Sequence, residues 1–201
     1  MGDALLNAVK FVLAVLLLPA VWACGAVFHE HITAFPRVYG DFFLWGVFGF
    51  LLLFLFFNPF WGVYELGQKI TSGLFQFVSP VNRFIANVVP FYVTVILLIF
   101  YVTANFLDIN SYDHYFIFFA GFSLMMHILL TAQDLQEQEK AFIKPAYLLT
   151  MTIVFILTLV VTVLLFDLVF KEFTFPEFVR SVMSDAWDIY WRAGKKIWLM
   201  T

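Results

Sequence analysis

Long apolar stretches closed off by charged or turn-forming residues are the dominant pattern along this chain. Crossing a hydrocarbon core of about 30 Å takes about 20 apolar residues at helical rise. Five stretches come close to that requirement: about Ala8 to Phe28, Phe42 to about Phe57, Val88 to Leu107, Tyr115 to Ala132, and Tyr147 to Phe170. Each predicts a helix, because lipid offers no partner to a backbone N–H or C=O and only a helix satisfies both within one segment.

The stretch Asn58 to Asn87 breaks the pattern, setting Pro59, Glu65, Gln68, Lys69, Pro80 and Arg83 among large apolar residues. A single helix from Phe42 to Phe77 would be about 54 Å long, too long for one bilayer. A kink at Asn58-Pro59 or a separate, partly embedded helix from about Gly62 is therefore expected, and the separate helix is preferred. After the last span, Thr174 and Pro176 signal a new helix start. Val179, Val182, Met183, Ala186 and Tyr190 then recur at helical spacing. Trp187, Trp191 and Trp198 beside Arg192, Lys195 and Lys196 suit a helix at headgroup depth.

The expected fold class is all-α: a polytopic transmembrane helical bundle with five spans and a C-terminal amphipathic interfacial helix. A sixth crossing or a re-entrant helix over 60–78 is the alternative. Residues 1–172 form the transmembrane domain and 173–201 the tail.

Composition agrees. Hydrophobic residues fill 63% of the 201 positions and charged residues 12%, roughly half the charge of a soluble domain, with mean hydropathy +0.93. The net charge of −3 has no basic block behind it, which removes the electrostatic basis for binding nucleic acid. A single cysteine, Cys24, excludes an internal disulfide and any cysteine-rich metal site. Leu-Pro-Ala-Val-Trp-Ala-Cys24 has the outline of a lipoprotein cleavage site, but the near-neutral leader and bulky Trp22 favour a retained span. Orientation stays open in the charge pattern. Lys10, Lys69, Arg83, Lys140 and Lys144 would share one side, but five spans put Lys195 and Lys196 on the other.

Ionisable groups at membrane depth cost about 3 kcal/mol each on insertion scales and so need a partner or a purpose. His127 is the deepest. Thr131 and Asp134 follow it on one helical face, making a polar stripe suited to metal ligation or proton handling. The simpler reading is a neutral imidazole bonded to a carbonyl or to Gln68 on a neighbouring helix. His29-Glu30-His31 could chelate only in an extended chain, since residues two apart on a helix point about 200° away from each other. It is read as a polar loop past the first span. Asp108, Asp113 and His114 are read as a solvated turn. No catalytic motif of a soluble hydrolase or nucleotide-binding enzyme occurs.

The segment Asn58-Pro59-Phe-Trp-Gly-Val-Tyr64-Glu65-Leu-Gly67-Gln68-Lys69-Ile-Thr71-Ser72-Gly73-Leu-Phe75 resembles that of site-2-protease-like membrane zinc metallopeptidases, where an apolar helix runs into Tyr-x-x-Gly-His-Glu-x-Thr-His. Gly121 to Gln138 is similar to the following helix of that family's small bacterial branch, and the helix order from about Lys10 to Phe170 fits it. The resemblance implies a degenerate member. Gln68 and Ser72 stand where the zinc-binding histidines would be, and Lys69 where the water-activating glutamate would be. Amide and hydroxyl groups are poor zinc ligands, and an ammonium repels the cation. Gly67, Thr71 and Gly73, which would serve helix packing, match.

The function expected is that of a noncatalytic integral membrane scaffold or accessory subunit of a membrane complex, pseudoprotease-like, with no catalytic residue, no metal and no cofactor. Its partners would be the bilayer and other integral membrane proteins, and its location the bacterial inner membrane. The alternatives are a small transporter, channel or quinone- or lipid-binding subunit with the His127 face lining the path, and a metalloprotease rebuilt from His127, Asp134 and His29 or His31.

Overall fold

A computed structural model describes residues 2–35, 37–57, 60–106, 112–138, 145–170 and 174–198. Asn58, Pro59, Asp108, Lys140, Lys144 and Lys171 lie outside the described residues, as does the side chain of Trp198. The described residues form helices α1 (Gly2–Ala34), α2 (Arg37–Phe56), α3 (Trp61–Leu74), α4 (Asn82–Val88), α5 (Phe91–Phe106), α6 (Asp113–Glu137), α7 (Pro145–Phe170) and α8 (Phe175–Trp198). A single 3₁₀ turn, Gln76–Val78, joins α3 towards α4, and there is no strand among the described residues.

Helices α1, α2, α6 and α7 are each long and apolar enough to cross a bilayer, and α4 with α5, bent by 63° at the break between them, has the length and composition of a broken span or a re-entrant loop. Leu5, Leu6, Val12 and Leu16 on α1, and Leu98, Ile99 and Val102 on α5, are exposed on the outside of the bundle. Water would make that surface costly and acyl chains would not. The chain is an integral membrane protein built as an all-α bundle.

Two departures at span ends have local causes. Helix α1 does not stop near Phe28 but continues to Ala34, so His29-Glu30-His31 is helical rather than a loop. The Nδ1 of His31 bonds the Val27 carbonyl at 2.9 Å, and its ring meets Phe178 edge-on at 5.4 Å. The third span is also broken where a continuous helix from Val88 was expected. Val89 precedes Pro90, and the proline ring pushes it out of the helical region to φ −84°, ψ 113°.

The tightest contact is between α2 and α6. A Cβ on Gly46 would fall 2.0 Å from the Phe118 carbonyl oxygen, and one on Gly121 2.2 Å from that of Phe43. Only hydrogen fits there, so the two backbones touch directly. Phe28, Phe43 and Phe166 pack edge to face behind this contact, at centroid distances of 5.9 and 6.0 Å.

Helix α8 is amphipathic, but it does not stand apart as a tail. It turns back at the end of α7 and runs antiparallel along α1, from Phe178 beside His31 to Tyr190, whose hydroxyl donates to the Leu16 carbonyl. Phe178 is fully buried in the same core as Ile32 and Phe166. Val182 and Ala186 pack inward with it, while Met183, Trp187 and Trp191 form an exposed ridge.

Candidate functional site

The break at Val89-Pro90 decides what the deep polar residues do. Ending α4 inside the protein leaves its last carbonyls without a helical N–H, and a buried carbonyl left unpaired costs free energy. Three successive ones are taken by side chains from three different helices. Gln68 Nε2 of α3 donates to Ala86 O at 3.1 Å, His127 Nε2 of α6 pairs with Asn87 O at 2.9 Å, and Thr158 Oγ1 of α7 donates to Val88 O at 3.0 Å. A carbonyl can only accept, so the His127 proton sits on Nε2. The buried residues Ala86, Asn87 and Val88 are thereby the joint of the bundle.

Around this joint the two groups of residues singled out in the sequence come together. Tyr64 of α3 and Thr131 of α6 share a buried hydrogen bond of 3.1 Å, and burial pushes the Tyr64 phenol up to about 12, keeping it a neutral hydroxyl. Gly67 is buried with its Cα hydrogens against Tyr92 and Phe91. Thr71 is buried beside it, bonding the Gly67 carbonyl at 2.9 Å. Gly73 is different. A Cβ there would meet nothing within 4 Å, so the packing role implied for it is absent.

Nearer the end of the bundle a polar cleft of about 520 Å³ opens between α3, α4 and α6. Lys69 and Ser72 line one wall and Asp134 another. Lys69 pairs with Glu65 at 3.0 Å and Arg83 with Asp134 at 3.7 Å. The Lys69–Glu65 pair is largely exposed, and such pairs contribute at most about 1 kcal/mol; Asp134 is half-buried beside an exposed Arg83. Ser72 Oγ donates to the Lys69 carbonyl at 3.1 Å, and the Ser72 carbonyl accepts from Asn82 Nδ2 at 3.5 Å. Gln68, Lys69 and Ser72 thus hold α3 to itself and to α4.

His29 and His31 do not join His127. They lie on α1, where His31 packs against α8. Among the described residues no three of His, Cys, Asp and Glu come together as a metal ion would need. The Asp113–His114 turn is not simply solvated: Tyr39 of α2 donates to Asp113, and the His114 ring lies 4.6 Å from Phe42.

Sequence reasoning reached the simpler reading of His127, an imidazole on a carbonyl, and missed that the carbonyl is that of Asn87 and that Gln68 and Thr158 cap the carbonyls on either side of it. The available signal was Pro90, set just inside the third apolar run, which demands that the preceding carbonyls find other donors. No family model, curated protein or solved structure matches the chain.

Proposed function

We propose that this chain is a noncatalytic scaffold or accessory subunit of a membrane protein complex. The observation that carries the reading is the outer face of α8. Cys24 Sγ lies 4.0 Å from the Ile156 carbonyl, and Phe35 packs on Phe166 and Phe170, so α1 and α7 run side by side in one direction. Between its contacts at His31 and Leu16, α8 therefore follows about 22 Å of α1 at the depth of α7's apolar run. Along that length it presents Arg180, Asp185 and Asp188 outward, all exposed. Charges facing acyl chains cost several kcal/mol in total, whereas the polar face of another membrane protein would satisfy them.

The noncatalytic part of the reading is supported by the joint, where Gln68 Nε2, His127 Nε2 and Thr158 Oγ1 are each engaged by a backbone carbonyl. A degenerate relative of the site-2-protease-like family in a bacterial inner membrane is the setting we propose. The same capping weighs against the transporter reading, in which carbonyls freed by a broken helix would face a substrate or ion.

Purification in mild detergent is expected to bring down a stoichiometric membrane partner, and a photo-crosslinker at Asp188 should attach to it. A clean monomer together with no crosslink from Asp188 in native membranes sinks the proposal.

A further inference from the structure

The cleft between α3, α4 and α6 is lined by charges of both signs at one end of the bundle. Along α6, Asp113 at one end and Asp134 at the other are about 31 Å apart, the thickness of a hydrocarbon core. Asp134 and its partner Arg83 therefore stand at headgroup depth when Asp113 does so on the opposite side. Helix α3 beside them is built for an interface, with Leu66, Ile70 and Leu74 exposed on one face and Glu65, Lys69 and Ser72 turned towards the cleft on the other. Trp61 also lines the cleft, and indoles favour this depth. The lining carries two cations, Lys69 and Arg83, and two carboxylates, Glu65 and Asp134, together with Gln68 and Asn82. The four charges alternate in sign as two pairs and sum to zero.

We infer that this cleft seats the headgroup of a zwitterionic phospholipid with a primary ammonium, its phosphate between Lys69 and Arg83 and its ammonium on Glu65 and Asp134. Lysine and arginine are the usual phosphate holders, the guanidinium by paired N–H donors and the ammonium as a point charge. Carboxylates accept the N–H bonds of a primary ammonium, which a quaternary ammonium cannot donate. An anionic phospholipid would satisfy the two cations and leave the two carboxylates facing its own charge. A volume of about 520 Å³ is within the range of small-ligand sites. The inference does not depend on a protein partner.

The test is native mass spectrometry of the purified chain offered equal amounts of phosphatidylethanolamine, phosphatidylglycerol and phosphatidylcholine. One retained phosphatidylethanolamine per chain is expected, favoured over each of the others by about fivefold or more, a difference of about 1 kcal/mol. The double variant Lys69→Ala with Arg83→Ala should lose that adduct, while Lys195→Ala with Lys196→Ala, cations on α8 outside the cleft, should keep it. Glu65→Gln with Asp134→Asn should erase the preference over phosphatidylcholine and retain phosphate-dependent binding. Should either cleft variant fail to fold, the lipid competition on the unaltered chain still decides. Equal retention of the three lipids, or a preference for phosphatidylglycerol, overturns the inference. Free phosphoethanolamine that displaces the lipid at comparable concentration would assign the cleft to a soluble ligand instead, and inorganic phosphate that does so alone would remove the ammonium half. Either result overturns it as well.

Discussion

His127 shows how one residue can be conspicuous in a sequence and structural in the fold. An imidazole in an apolar run suggests a ligand or a proton carrier, yet its Nε2 meets the Asn87 carbonyl at 2.9 Å, one of three acceptors exposed by a single proline. Removing the donor leaves a buried carbonyl unpaired, which costs about 1–3 kcal/mol. His127→Leu should therefore lower the thermal midpoint in detergent, and Thr158→Val should do so to a smaller or similar extent at the neighbouring carbonyl. A His127→Leu protein that melts with the parent would show that the joint does not need its cap. Gln68, at a position where the resemblance implies a zinc histidine, makes the same kind of bond. An amide N–H donates to a carbonyl whatever the pH, which suits a static joint.

At the scale of elements, the fold depends on where backbones meet. Gly46→Ala and Gly121→Ala each drive a methyl into a carbonyl of the facing helix, and the neighbour cannot move aside without separating α2 from α6. Each should cost about 1–3 kcal/mol, and the double variant less than the sum because the first methyl already parts the helices. Gly73→Ala meets open space and should be neutral, or stabilise by about 0.5–1 kcal/mol through helix propensity. Melting curves of the three single variants check this, and a Gly73→Ala loss as large as the Gly46→Ala loss contradicts it. The same periodic reasoning that located α2, α6 and α7 could not tell these glycines apart, because contact between helices is not encoded in the spacing along one of them. Helix α3 was legible as a separate, partly embedded element, since charge, Gly and Pro interrupt the apolar run around it.

On the scale of the whole molecule, the course of α8 bears on the orientation that charge counting left open. Because α8 starts where α7 ends and returns along α1 to Leu16, Lys195 and Lys196 are carried towards the end of the bundle that holds Lys69 and Arg83. Lys195 and Lys196 then join Lys69 and Arg83 on one side, as the positive-inside rule favours, without a crossing in 60–78. Single cysteines at Lys69 and Lys195 should react with an impermeant maleimide from the same side, and one at Thr174 from the other. The fully buried Cys24 keeps the parent chain silent in this assay. Labelling of positions 69 and 195 from opposite sides would contradict the docked course of α8.

Membrane residence, the helical class, four to five apolar spans, the separateness of α3 and the amphipathic nature of α8 follow from composition and periodicity, because solvation by lipid acts on each segment separately. The partners of those segments do not follow from it. That Gln68, His127 and Thr158 converge on three consecutive carbonyls, that Gly46 and Gly121 meet a neighbouring backbone, and that α8 folds back on α1 were all decided by tertiary packing. Each depends on a donor, a gap or a face supplied by a helix distant in sequence, and such complementarity exists only once the helices are assembled.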